Sequence, residues 1–327
     1  MRGFTMAEIL LSLTIIGVVA AITLPSLTGN INERTWNTQR KALYARFSQA
    51  IALMPAINGY GTLKEVTDSA TGSTSIEDTA AETFVTAGLS KVMKINNICD
   101  NNHLEDCGLA SRITTADGEQ ISTPKTMTEL NSQMTMSASN GFNTTSMLDT
   151  KAAAFETQNG ESVLVFYNPG CIGSLQETPW GGGVGYYIQN KICANFIYDL
   201  NGTKGPNTVG KDIGFMTAMY PSDVKLAMPI PAPTLASDGV VGVDASKTCT
   251  DYGSEYRLPN IEEGISIFVN QNLLSADFNN AYWTSSKIVQ NGETRMLLIV
   301  MRNGDRGGQV DDLIPNSEQR PVLCVRR

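Results

Sequence analysis

Asp199, Asn201 and Asp212 carry side-chain oxygens at a spacing that invites metal chemistry. Asp199 and Asn201 stand two residues apart, as the first two ligands of a calcium loop do, and Asp212 is placed to close the ring. The later glutamate of the full loop pattern is missing, and Asp199-Leu200-Asn201-Gly202 also reads as a plain turn. Calcium takes about six to eight oxygens, so this short set favours the turn. Calcium is therefore the one cofactor the residues suggest, and otherwise none is expected. His103, the single histidine, lies in an Asn- and Asp-rich stretch with no nucleophile context for a triad. No set of residues assembles an active site, and the chain is read as not an enzyme.

Six cysteines, Cys99, Cys107, Cys171, Cys193, Cys249 and Cys324, form an even count without the C-x-x-C spacing of a zinc site. Many connectivities are open, and none is settled by sequence. Order along the chain favours neighbours: Cys99 with Cys107, Cys171 with Cys193, Cys249 with Cys324. Disulfides would place the folded part in an oxidising compartment, a bacterial periplasm or the cell exterior.

The most pointed chemical feature is Glu8. It is the only charge between residues 4 and 27, a stretch otherwise apolar or weakly polar. As a helix this stretch would be roughly 36 Å long, enough to cross a hydrocarbon core. A carboxylate there costs about 2.5–3.5 kcal/mol on insertion scales, so it is expected to meet a partner. A cleaved secretory signal with its cut after Ala21, or a plain anchor, would account for Arg2 and the apolar run. Neither accounts for Glu8 or for Gly3-Phe4 after so short a leader.

Gly3, Phe4, Thr5, Glu8 and the downstream Pro25 resemble the opening of the type IV pilin and type II secretion pseudopilin family, G-F-T-x-x-E followed by an apolar helix with a proline. Ala7 stands where an aliphatic residue is usual. The resemblance implies that a prepilin peptidase cuts between Gly3 and Phe4 and methylates Phe4. Glu8 then becomes the fifth residue of the mature chain and pairs with the Phe4 amine of a neighbouring subunit. It also implies storage in the inner membrane, an inner-membrane assembly platform, and packing with other pilin subunits into a periplasmic or extracellular filament. Pro25 removes a helical hydrogen bond, so a kink or local melting is expected over 21–25.

These features need elements to position them. Trp36, Leu43, Phe47, Ile51 and Met54 recur at helical spacing and mark one face of an amphipathic continuation, which Pro55 and Gly59-Tyr60-Gly61 end. Residues 62–160 are Thr-, Ser- and Asn-rich with weak periodicity. Strands are predicted over 163–167, 183–189 and 192–200. Met228-Pro-Ile-Pro-Ala-Pro233 reads as an extended linker. Beyond it, Tyr256-Arg257-Leu258-Pro259-Asn260, Tyr282-Trp283-Thr284-Ser285 and Val322-Leu323-Cys324-Val325-Arg326 resemble a C-type-lectin-like module of bacterial surface proteins. Asn260 and Glu263 suit a capping box, and Arg257, Pro259 and Trp283 suit core and turn roles better than ligand contact.

The expected fold class is α+β: a long N-terminal transmembrane/amphipathic helix packed on an antiparallel β-sheet (the pilin fold), plus a C-terminal lectin-like α+β module. The expected layout is a leader at 1–3, a helix at 4–60 with its transmembrane half at 4–27, a β-rich domain at 61–228, a Pro-rich linker at 229–240 and the module at 241–327. Basic and acidic residues number 24 and 32, a net charge of −8, which argues against nucleic acid as partner. The functional expectation is a filament subunit that displays an adhesive module for a surface ligand or carbohydrate. The alternative is a monomeric membrane-anchored adhesin or receptor that uses the helix only as a tether.

Overall fold

A computed structural model describes residues 6–58, 80–108, 110–123, 151–167, 177–180, 183–187, 192–219, 234–274, 280–290, 292–301, 309–311 and 319–326. The chain divides into two units, Met1–Ala42 and Leu43–Arg327. Helix α1 (Met6–Asn58) begins in the first and ends in the second.

In the first unit, Thr14 and Thr38 turn their hydroxyls back onto the carbonyls of Leu10 and Arg34, which removes two donors from the helix surface. The helix runs unbroken through Pro25, so no melted turn interrupts it at 21–25. No helix among the described residues is long and apolar enough to cross a membrane. This overturns the expected transmembrane half at 4–27, and with it the fold class of a transmembrane/amphipathic helix packed on one pilin-type sheet. Helix α1 mixes Ser12 and Thr14 into its apolar part and continues through Glu33, Arg34 and Arg40 to Asn58, an element of mixed rather than uniformly apolar character. What remains of that expectation is an α+β mixture of largely antiparallel sheets.

In the second unit, Leu43, Phe47, Ile51 and Met54 of α1 are all buried, as their three- and four-residue spacing requires of one helix face. Phe47 meets Phe155 at 6.2 Å and Phe196 at 4.8 Å between ring centroids. Those rings belong to a five-stranded sheet. Its strands are β1 (Ile95–Cys99), β4 (Lys151–Thr157), β5 (Ser162–Tyr167), β8 (Ile192–Asp199) and β9 (Ile213–Met219), in the order β1-β4-β5-β8-β9 and antiparallel throughout. The run Ser162-Val-Leu-Val-Phe-Tyr167 is buried at every position because β5 is the middle strand, covered on both faces. On one face, beside Phe47, Phe84 stacks on Tyr167 at 4.4 Å; Phe84 opens the π turn Phe84–Gly88 that follows helix α2 (Ala80–Thr83). On the other face, the hairpin β2 (Arg112–Thr114) and β3 (Gln120–Ser122) brings Ile113 and Ile121 over Leu164, Ile197 and Ile213.

The remaining strands form an eight-stranded sheet. They are β6 (Glu177–Trp180), β7 (Gly183–Tyr187), β10 (Thr234–Val241), β11 (Tyr256–Arg257), β12 (Asn280–Gln290), β13 (Glu293–Met301), β14 (Gln309–Asp311) and β15 (Gln319–Arg326). The order is β10-β15-β12-β13-β14-β7-β6, with β11 paired to β15. Two sequence expectations are corrected here. Residues 234–240, expected within the linker, are strand β10. Strands β6 and β7, expected in the domain at 61–228, join the C-terminal sheet through Val310 opposite Tyr186. Backbone pairing satisfies buried amides wherever a partner edge is available, whatever its distance along the chain.

Helix α3 (Gly242–Tyr252) is bonded to β15 by Cys249–Cys324. Around that bond lie Leu258, Trp283, Leu298 and Val322, with Trp283 fully buried. Helix α4 (Ile261–Val269) is followed by α5 (Gln271–Leu274). Buried hydrogen bonds link this region to the five-stranded sheet: Asn195 Nδ2 donates to Asn270 Oδ1 at 2.8 Å, and the hydroxyls of Thr217 and Ser266 meet at 2.7 Å.

Candidate functional site

The candidate metal residues fall in the loop that joins β8 to β9. Asp199 ends β8 opposite Ile213, so the chain must leave and return to the same edge within thirteen residues. The loop closes on itself. Asp199 Oδ1 accepts from the Asn201 amide at 3.0 Å, and Asn201 Nδ2 donates to the carbonyls of Lys204 and Gly205 at 3.0 and 3.2 Å. Asp212 accepts the amides of Asn207 and Thr208, both at 2.8 Å, one on each carboxylate oxygen. Gly202 sits at φ 65°, a left-handed turn position that suits glycine. Both oxygens of Asp212 thus hold the loop by accepting backbone amides.

Three acceptors in this loop are sealed from solvent and receive no hydrogen bond: Asp199 Oδ2, Asn201 Oδ1 and Asn207 Oδ1. Each such atom costs about 1–3 kcal/mol if nothing donates to it. Asp199 is 1 % exposed, and burial pushes its carboxyl up to about 7, with the charge of Asp212 adding to the rise. Asn207 is absent from the sequence-derived set. Its signal was the Gly205-Pro206-Asn207 run, where asparagine takes φ 51°. Among the described residues, no group of three or more His, Cys, Asp and Glu side chains is placed to hold a metal.

His103 lies in the loop closed by the Cys99–Cys107 bond. Its Nδ1 is 2.8 Å from Asp100 Oδ1, and that hydrogen bond raises the imidazole pKa. Both side chains are exposed, an arrangement of a surface ion pair. Cys193 is disulfide-bonded, and its expected partner Cys171 lies outside the described residues. Gly3 and Phe4, the expected processing residues, also lie outside them. Glu8 and Pro25 lie within α1, and their side chains are outside the described set.

The C-terminal motif residues are brought together for packing. Asn260 and Glu263 form a reciprocal capping box at the start of α4: Glu263 N donates to Asn260 Oδ1 at 2.7 Å, and Asn260 N donates to Glu263 Oε2 at 2.8 Å. Arg257 clamps the same carboxylate through two bonds of 2.7 and 2.6 Å. Ser285 N donates to the Pro259 carbonyl at 2.8 Å, which ties β12 to the turn before the helix. Replacing Asn260 with Ala is expected to lower unfolding stability by about 1 kcal/mol, measured by urea denaturation, with the fold retained. An unchanged midpoint would show that the cap contributes nothing.

The N-terminal unit presents a different surface. Met6, Leu10, Leu11, Leu13, Ile15, Ile16, Val18 and Val19 are all exposed, from 54 to 79 %. The chain matches no protein-family model, and no curated protein matches it significantly.

Proposed function

We propose that the chain is a non-enzymatic structural subunit of a type IV pilus-like or pseudopilus filament, assembled through the N-terminal part of α1. The observation that carries this reading is the set of exposed apolar side chains between residues 6 and 19. Successive helical residues are rotated by about 100°, so these side chains ring the helix on all sides. A helix that is apolar all round is stable only when surrounded, and the surroundings available to a filament subunit are the same helices of other copies. The motif Gly3-Phe4-Thr5 with Glu8 supports the same reading from the sequence side. In such a bundle a neighbour's protonated Phe4 amine donates to the Glu8 carboxylate, an ion pair favourable in a low dielectric where either ion alone is costly. The disulfides at Cys99–Cys107 and Cys249–Cys324 support an oxidising location, in the periplasm or outside the cell. The folded unit from Leu43 onward is the part the filament displays, and its lectin-like motifs make it the candidate adhesive surface.

Mass spectrometry of the mature chain tests the reading. The expected N-terminus is methylated Phe4, produced by a prepilin peptidase. A mature chain that begins after Ala21 would instead mean a secreted protein, and the filament assignment would fall.

A further inference from the structure

We infer that four buried polar side chains, Asn195, Thr217, Ser266 and Asn270, form a latch that fixes the C-terminal region, α3 to β15, in one orientation on the five-stranded sheet. The inference concerns the folded unit alone and stands whether or not the chain assembles into filaments. The latch is built from both sides. Asn195 of β8 and Thr217 of β9 are cross-strand partners, so their side chains stand together on one face of the sheet. Ile197 and Ile213, two and four positions further along the same face, are apolar and lie under the β2–β3 hairpin. Ser266 and Asn270 stand four residues apart, about one helical turn, at the end of α4. They bring polar groups to the polar spot on the sheet. All four residues are buried, with Thr217 and Ser266 fully so.

The two carboxamides bond reciprocally: Asn195 Nδ2 donates to Asn270 Oδ1 at 2.8 Å, and Asn270 Nδ2 donates to Asn195 Oδ1 at 3.1 Å. The Thr217 hydroxyl donates to Asn195 Oδ1 at 2.9 Å, which leaves the Ser266 hydroxyl to donate to Thr217 Oγ1 at 2.7 Å. Asn270 Nδ2 also donates to the Ser266 carbonyl at 2.8 Å. No side-chain nitrogen or oxygen of the four is left without a partner. Such a cluster selects one docking geometry more sharply than apolar contact does. A leucine displaced by one residue finds other carbons, whereas a buried carboxamide displaced by the same step loses its partner and bears its full desolvation cost. Two further ties act in the same sense. Ala116 N, in the turn of the β2–β3 hairpin, donates to the Leu273 carbonyl of α5 at 3.1 Å, and β7 pairs with β14. The C-terminal region is thus held at three places by segments that precede residue 220, and it moves with the sheet as one body.

The test is native-state hydrogen exchange of the purified full chain, read by mass spectrometry across a series of urea concentrations. Peptides from β8–β9 and from β12–β15 are expected to lose protection together, at one urea concentration, because neither part opens without the other. Asn270→Ala leaves the Asn195 carboxamide without its reciprocal partner and should separate the two transitions. In that variant α4 and α5 should exchange roughly 5- to 150-fold faster than in the unaltered chain, and ahead of the sheet. Adding Asn195→Ala should give less than the sum of the two single effects, since one pair is lost only once. Should Asn270→Ala fail to fold, Ser266→Ala removes only the hydroxyl bonded to Thr217 and should give the same separation at about 5-fold. Two separate transitions in the unaltered chain would mean that the C-terminal region swings independently and would overturn the inference. Unchanged exchange in the variants, or single effects that simply add in the double variant, would overturn it as well.

Discussion

Glu8→Gln is expected to leave the folded unit intact and to abolish filaments. The residue lies in α1 far along the chain from the sheets that begin at β1, so melting of the Leu43–Arg327 unit should be unchanged within about 0.5 kcal/mol. On the proposed assembly, filaments should fail because the substitution removes one member of the Glu8–Phe4 amine pair in a water-poor bundle and leaves the neighbour's amine uncompensated. Losing one partner of a buried pair costs about 3–5 kcal/mol, which is roughly 150- to 5,000-fold in each subunit–subunit association constant. Filament polymerisation multiplies that loss over every added subunit. The measurement is sheared or sedimented filament from cells that carry the variant, compared with total mature chain. Normal filament yield would show that Glu8 has no assembly role, and normal surface display without filaments in the unaltered protein would favour the tether alternative.

The second large effect concerns covalent closure of the C-terminal region. Removing Cys249–Cys324 by a double serine substitution should cost roughly 2–4 kcal/mol of unfolding free energy, more than removing Cys99–Cys107 does. The two bonds close loops of very different length, with sequence separations of 75 and 8. On chain-entropy grounds the longer loop restrains the unfolded chain by roughly 2 kcal/mol more. The longer bridge is also central to packing, since Cys249 and Cys324 lie in the same buried cluster as Trp283 and Leu298. Guanidinium titrations of the two variants decide the matter. Equal losses, or a greater loss at Cys99–Cys107, would mean that native-state strain or residual unfolded structure outweighs loop closure here.

The features read correctly from the chain are those whose cause is local. The stripe Leu43, Phe47, Ile51 and Met54 declares a buried helix face because helical geometry alone brings those positions together. The Asn260–Glu263 box needs only four consecutive residues, and it forms as its spacing requires. The run at β5 is buried throughout, as a continuous apolar strand should be. The turn at Asp199-Leu200-Asn201-Gly202 was legible too, since an aspartate that caps the amide two residues on is a short-range bond.

Long-range partners decided the rest. Nothing in Gly183–Tyr187 distinguishes a strand that stays with the first sheet from one that pairs with Gln309–Asp311, because edge pairing depends on which backbone arrives beside it. The Pro-rich stretch promised a linker up to residue 240, and Thr234–Val241 instead pairs with the last strand of the chain. The apolar character of residues 4–27 suggested a membrane span, and no described helix is long and apolar enough for one. At the loop, the sequence alone named Asp199, Asn201 and Asp212, and the tertiary structure shows what their atoms meet: backbone amides on both oxygens of Asp212, and a buried oxygen on each of Asp199, Asn201 and Asn207 that receives no hydrogen bond. Residue type and spacing determine which atoms are able to bind. Burial and hydrogen-bond accounting, which exist only once distant segments meet, determine which atoms are left to do so.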